Sequence, residues 1–299
     1  MKASAFAKIN LGLEVLYRRD DGYHEIRTIF QTVDLWDVLS FEATAGERLS
    51  FSCDDPALPT GEDNLVVRAA EALARRTGRR QGVAIHLEKK IPVGAGLGGG
   101  SSDAAATLLA LNELWSAGLP LSALHDLARR LGADVPFFLY GGTALGIGRG
   151  DEVFPLAREV RLPIVLVLPD APLSTASVYR SLVLTKREST LKLQYFPSSV
   201  WDGEDSLFSI SNDLESAAVR LLPSIDGFKQ SLRELGACAT AMSGSGSTVF
   251  GLFLSSATAE SAALTLTARG DCAVATRTIV REEYLERRLN SRKGPGKTI

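Results

Sequence analysis

The chain has 299 residues, 45% hydrophobic and 23% charged, a composition that excludes disordered and low-complexity classes and a length that suits about two domains. With 33 basic and 35 acidic side chains the net charge is −2, so bulk electrostatics advertise neither nucleic acid nor an anionic membrane as a partner. No run reaches the roughly 20 apolar residues of a membrane span, and three scattered cysteines, Cys53, Cys238 and Cys272, lack zinc-ligand spacing and fit a reducing cytoplasm.

In chain order, the opening MKASAFAKINLGLEVLYRR is read as a strand rather than a signal peptide, because Lys8, Asn10 and Glu14 interrupt its apolar run. Partial alternation from Lys8 to Val15 and β-rich runs at Ile29–Val33 and Val38–Phe41 make the first sixty residues strands joined by polar turns, RRDDGYH among them. DNLVVRAAEALARRTG predicts a helix capped by Asn64 or Asp63, with Leu65, Ala69, Ala72 and Leu73 on one face and Gly78 as its stop. GVAIHLEKKIP follows as a strand. SSDAAATLLALNELWSAGLP predicts a helix with Ser and Asp at its N-cap and Leu108, Leu111 and Trp115 on one stripe. LSALHDLARRLG is a further helix, and the connector ADVPFFLYGG after it carries Asp134.

Near Arg161 a second unit begins, with RLPIVLVLPD as a buried strand and STASVYRSL as a helix. Residues 185–206 are polar and irregular; NDLESAAVRLLP and GFKQSLRELG are helical, and ACATAMSGSGSTVFGLFL is two short strands about a Ser/Gly turn. A helix from Thr258 to Arg269 and the strand CAVATRTIV complete an α+β unit. The tail RRLNSRKGPGKTI has little to bury and is expected to fray.

The segment IPVGAGLGGGSSDAA connects strand to helix with glycines at 94, 96, 98, 99 and 100. Glycines at this density let consecutive N–H groups converge, and the helix behind adds the positive end of its dipole, so the natural occupant is a phosphate. The candidate contacts are Pro92, Val93, Gly94, Ala95, Gly96, Leu97, Gly98, Gly99, Gly100, Ser101 and Ser102. Gly94, Gly96 and Gly99 match the dinucleotide G-x-G-x-x-G spacing, but the position that should follow as an acid-ended strand is a second helix. The loop also lacks the lysine of a Walker sequence.

PVGAGLGGGSSDAA resembles the second motif of the kinases grouped under galactose, homoserine, mevalonate and phosphomevalonate, the GHMP kinases. AKINLGLEV resembles their first motif and ATAMSGSGSTVFGLF their third. The flanks DGYHEIRTIFQTVDLWD and LGADVPFFLYGGTALGIGRGDEV are similar to the branch that phosphorylates a cytidine diphosphate-linked methylerythritol. The similarity runs from about Ala5 to Phe253; Trp36 departs from it, and residues from Thr185 to Ser206 match nothing in it.

The resemblance implies an α+β, two-domain GHMP-kinase-like fold: an N-terminal β/α ATP-binding domain, 1–160, and a C-terminal ferredoxin-like α/β sandwich domain, 161–285; the composition of 286–299 leaves that stretch expected as a disordered tail. It implies ATP and Mg²⁺ as cofactors, Asp134 as general base, and Lys8 beside the acceptor hydroxyl, where it favours the carboxylate and the developing charge. Asn10 would orient the substrate, Tyr23 stack on the cytosine, His24 bond the base and Tyr179 close its other face; Asn64 would approach ATP and Ser102, or its neighbour Ser101, the metal. The expected protein is a cytoplasmic monomer or homodimer acting on a small molecule, with no nucleic acid or membrane partner. Two alternatives stay open: the same chemistry on mevalonate or homoserine, and a non-catalytic nucleotide-binding regulator on the same scaffold.

Overall fold

Strand β1 (Lys2–Arg18) and strand β2 (His24–Ala43) pair antiparallel along nearly their whole length, joined by the RRDDGYH turn. β1 is buried on both faces, which is why its alternation is only partial: Ala3 and Ala5 enter one core, Ala7, Ile9 and Leu11 a second, Leu13 and Val15 a third. The two β-rich runs read separately in the sequence are one strand, and between them the pairing with β1 shifts where Ala7 faces Val33 and Phe6 faces Trp36. The structure, a computed structural model, describes residues 1–78, 81–159, 161–183 and 210–290; the polar stretch 185–206 lies outside the described residues.

Strands β3 (Leu49–Cys53) and β4 (Val83–Glu88) run parallel and are linked by helix α1 (Leu65–Thr77), as a parallel pair requires a crossover. Asn64 rather than Asp63 caps α1, its Oδ1 accepting from the Val66 N–H at 2.9 Å. Helices α2 (Gly99–Leu114), α3 (Leu121–Leu131) and the short α4 (Phe137–Tyr140) follow; the last is a turn of helix that the sequence did not announce. Their apolar residues, Leu108, Leu111, Trp115, Leu124, Leu127 and Phe137, join those of α1 in one core. Strands β5 (Thr143–Ile147) and β6 (Glu152–Pro155) form a hairpin laid on β2.

The second sheet contains β7 (Pro163–Val167), β8 (Ala239–Met242), β9 (Val249–Leu252) and β10 (Ala273–Arg277), all antiparallel in the order β10-β7-β9-β8. Between β7 and β8 the described helices are α5 (Thr175–Arg180), α6 (Glu215–Leu221) and α7 (Ser224–Glu234), and α8 (Ser256–Ala268) connects β9 to β10. That order is the ferredoxin-like arrangement.

Two expectations need correction. Ser and Asp do not cap α2: Gly98, at φ 72°, is the cap residue and makes no side-chain bond, so Ser101, Ser102 and Asp103 lie inside the first turn. Nor does regular structure stop at 285, since helix α9 (Arg281–Arg287) and strand β11 (Leu289–Asn290) continue the fold and β11 pairs with Lys2 and Ala3. The cause is burial: Tyr284 packs on Phe6 and donates its hydroxyl to the Phe138 carbonyl, and Arg288 donates to the Leu139 carbonyl at 2.7 Å. Residues 289–290 thus return to the first sheet. Among the described residues no helix is long and apolar enough to cross a membrane.

Candidate active site

The glycine loop and the Ser/Gly turn between β8 and β9 are bonded to each other. The Thr248 N–H donates to the Ala95 carbonyl at 3.2 Å and the Ser243 hydroxyl to the Gly96 carbonyl at 2.9 Å. Gly96 sits at φ +79°, and a Cβ there would lie 2.2 Å from the Ser243 carbonyl oxygen, so the approach of the two loops requires glycine. Asn212 braces the turn from behind, donating to the Met242 and Gly244 carbonyls at 2.9 and 2.7 Å.

These loops meet over β1. The Lys8 N–H donates to the Leu97 carbonyl at 2.9 Å, and the Lys8 side chain passes Gly98, where a Cβ would meet its Cγ at 3.1 Å. Lys8 Nζ donates to Asn10 Oδ1 at 2.7 Å and lies 3.4 Å from Asp134 Oδ2. Asn10 Nδ2 donates to Thr28 Oγ1 at 2.7 Å, and the Thr28 hydroxyl passes its own hydrogen to the Gly12 carbonyl. The lysine is therefore 4% exposed and fixed, while Asp134 stays 34% exposed at its side. Both residues line a cavity of about 1170 Å³ between the two sheets, Asp134 the more open to it.

Of the expected phosphate-loop residues, Pro92 to Gly96 and Gly98 to Ser101 line the cavity, whereas Leu97 is buried and serves as an anchor. Ser102, expected at the metal, is 1% exposed behind the loop, and Ser101 is the serine on the cavity wall. Asn64 lines the same cavity with its side chain spent on local bonds, to Val66 and to the Pro59 carbonyl.

Behind the loop lies a cluster the sequence did not reveal. Lys89 bonds both Asp37 and Asp103, the latter at 3.1 Å, and Asp37 also accepts the N–H groups of Lys90 and Ile91. Burial, eased only partly by Lys89, pushes the Asp103 carboxyl up to about 8. Burial opposes the Lys89 charge, but the two carboxylates outweigh it and hold its ammonium above the usual lysine value. Asp103 Oδ1 and Ser102 Oγ are buried and have no partner among the described residues.

At the other end of the cavity, His24 at the start of β2 stacks on Tyr179 of α5, ring centres 4.9 Å apart and planes at 26°. Burial, then the charge of Arg18, hold the His24 imidazole below its ordinary value, so it is neutral at pH 7. Burial, then the negative Asp134, push the Tyr179 hydroxyl up. Tyr23, 54% exposed, has the Arg149 guanidinium over its ring, carbon to centroid 4.8 Å. Arg149 lies in GIGRGDEV, a segment within the resemblance but without a signal of its own.

The family model for the GHMP kinases N terminal domain matches residues 64–142 and that for GHMP kinases C terminal residues 203–272. The chain is 42% identical over 269 residues to the 4-diphosphocytidyl-2-C-methyl-D-erythritol kinase of Thermodesulfovibrio yellowstonii, covering 88% of this chain and 93% of that one. It is 44% identical to the enzyme of the same name from Geobacter sulfurreducens, covering 91% and 97%. A crystal structure of 4-(cytidine 5'-diphospho)-2C-methyl-D-erythritol kinase, 41% identical, superposes with a TM-score of 0.82 over 93% of this chain and 99% of the other.

Proposed function

The chain belongs to the 4-diphosphocytidyl-2-C-methyl-D-erythritol kinases of the GHMP family, and from that premise we propose how its residues divide the reaction. The enzyme is an ATP-dependent kinase that phosphorylates the 2-hydroxyl of 4-diphosphocytidyl-2-C-methyl-D-erythritol, a step of the non-mevalonate route to isoprenoid precursors. The homoserine, mevalonate and non-catalytic readings are not favoured.

The observation that carries the assignment is the Lys8–Asp134 pair, 3.4 Å apart and facing the cavity where two glycine loops meet. Asp134 takes the proton of the acceptor hydroxyl, the freed oxygen forms its bond to the γ-phosphorus, and the bond from that phosphorus to the bridging oxygen breaks as ADP departs. Lys8 holds a positive charge where negative charge develops, and Asn10, bonded to Nζ, keeps it aimed. The backbone N–H groups from Gly94 to Ser101, with the first turn of α2 behind them, receive the phosphates, and Asn64 shapes the wall that faces ATP.

The oxygen donors of that turn suit a hard cation: the Ser101 hydroxyl on the wall, with the unpartnered oxygens of Ser102 and Asp103 behind it. They would hold Mg²⁺ with phosphate and water completing its shell, and the ion would neutralise charge on the phosphates. Tyr23, His24 and Tyr179 take the cytosine by stacking and by hydrogen bonds to its edge.

The test is an assay with ATP and Mg²⁺ against the cytidylated alcohol, the free tetrol, mevalonate and homoserine, with the product's phosphate located by NMR. Phosphorylation of the cytidylated alcohol at its 2-hydroxyl is expected; preferential turnover of a plain alcohol overturns the substrate assignment.

A further inference from the structure

Tyr23 is carried on an exposed turn whose internal bonds, Tyr23 N–H to Asp21 Oδ1 at 3.1 Å and Arg19 N–H to the Tyr23 carbonyl at 2.8 Å, fix its backbone and not its ring. A phenol that is 54% exposed must nevertheless hold one plane if a base is to stack on it. The contact that sets that plane comes from the tip of the β5–β6 hairpin.

There Gly148 and Gly150, at φ 70° and 94°, turn the chain around Arg149, and the Gly148 carbonyl accepts from the Ile26 N–H at 2.8 Å. The tip is thus stitched to the strand that begins at His24. Asp151, buried, holds the Arg149 side chain: Oδ2 accepts from Nη2 at 2.9 Å and Oδ1 from the Arg149 N–H at 3.2 Å. Arg129 Nε donates to the same Oδ2 at 2.9 Å, and the Arg129 carbonyl accepts from Arg149 Nη2 at 3.3 Å. Burial works to raise the Asp151 carboxyl, but the two guanidinium groups outweigh it and hold it below the usual carboxylate range. The guanidinium is therefore permanently charged, tethered on one side, and set over the Tyr23 ring while still lining the cavity.

We infer that Arg149, tethered by Asp151, is a positioning residue for recognition of the cytidylated substrate: it covers one face of Tyr23 and presents the other to the base. The inference rests on the reading of Tyr23 as a base-stacking residue. A ring that is already stacked gives up little freedom on binding, so the gain appears in substrate binding and not in the chemical step.

Arg149→Met keeps the apolar stem and removes the cation; Arg149→Gln also keeps a donor for Asp151, so it separates loss of charge from loss of the tether. Either should raise the KM for the cytidylated substrate roughly threefold to thirtyfold, with kcat and the KM for ATP within about twofold. Arg149→Lys should recover part of the loss. In a Tyr23→Leu background Arg149→Met should have no further effect, because its target is gone.

An undiminished effect in that background overturns the inference and makes the guanidinium a direct substrate contact; equal damage to both KM values overturns it in favour of a structural role. If Tyr23→Leu alone raises the KM and neither Arg149→Met nor Arg149→Gln does, only the positioning role fails. If Tyr23→Leu leaves the KM unchanged, the stacking reading itself fails, and the inference with it.

Discussion

At the phosphate end of the cavity the wall is backbone, made of two glycine loops bonded to each other through Ala95, Gly96, Ser243 and Thr248. At the base end it is side chain, a His24–Tyr179 stack between the two sheets and a half-exposed Tyr23 under a guanidinium. Where the two loops touch, at Gly96, the backbone wall has no room for an added atom, whereas stacked side chains can be trimmed one at a time. Damage at the first end should abolish turnover or nucleotide binding, and damage at the second should grade the affinity for one substrate.

The largest effect expected is at the acceptor. Asp134→Asn keeps the connector's shape and removes the proton acceptor, so kcat should fall by roughly 10²–10⁴ while ATP binding, measured by calorimetry, is unchanged. Next is a pair of glycines in one loop. Gly96→Ala places a Cβ 2.2 Å from the Ser243 carbonyl, whereas at Gly94 the nearest atom to a Cβ is Pro172 Cβ at 3.7 Å. Gly96→Ala should therefore weaken ATP binding tenfold or more and lower the melting temperature. Gly94→Ala pays the positive-φ strain of about 1–2 kcal/mol and should retain ATP binding better. Equal losses would mean that the lock between the loops is not what shapes them.

At the base end, Tyr23→Leu should raise the KM for the cytidylated substrate roughly tenfold and leave that for ATP within about twofold. The smallest effect concerns protonation of His24. Its value is held below the ordinary histidine value of about 6.5 by burial, so kcat/KM for the cytidylated substrate should be flat through neutrality and decline only on acidification, when the acceptor nitrogen becomes a donor. His24→Asn should lose that acidic limb; a wild-type limb centred above pH 6.5 would contradict the assignment.

The sequence made the phosphate end legible because its signal is local: a glycine run between an apolar strand and a helix has few other uses. Lys8 and Asp134 lie 126 positions apart, and it was the motif resemblance, not their spacing, that joined them. Arg149 and Asp151 stayed silent, since their meaning depends on Tyr23 and Arg129, which only folding brings near. The Asp37–Lys89–Asp103 cluster was hidden likewise: Asp37 lies on β2 and Lys89 just past β4, far apart in the chain, and burial of Asp103 in the first turn of α2 could not be foreseen while Ser and Asp were taken for the cap. Strand β11 was missed because its basic tail offers little to bury; it is held by Tyr284 and Arg288 packing on the first domain.

The central claim is that Lys8 and Asp134 act as one unit on one proton, and the double variant tests it most directly. Single-turnover rates of phosphoryl transfer should be measured for Lys8→Met, Asp134→Asn and the pair together, each saturated with ATP and Mg²⁺. The account predicts that the double variant is no more than about threefold slower than the slower single variant, since removing either residue already disables the transfer. Rate losses that multiply in full would show that the two residues act independently, and would contradict it.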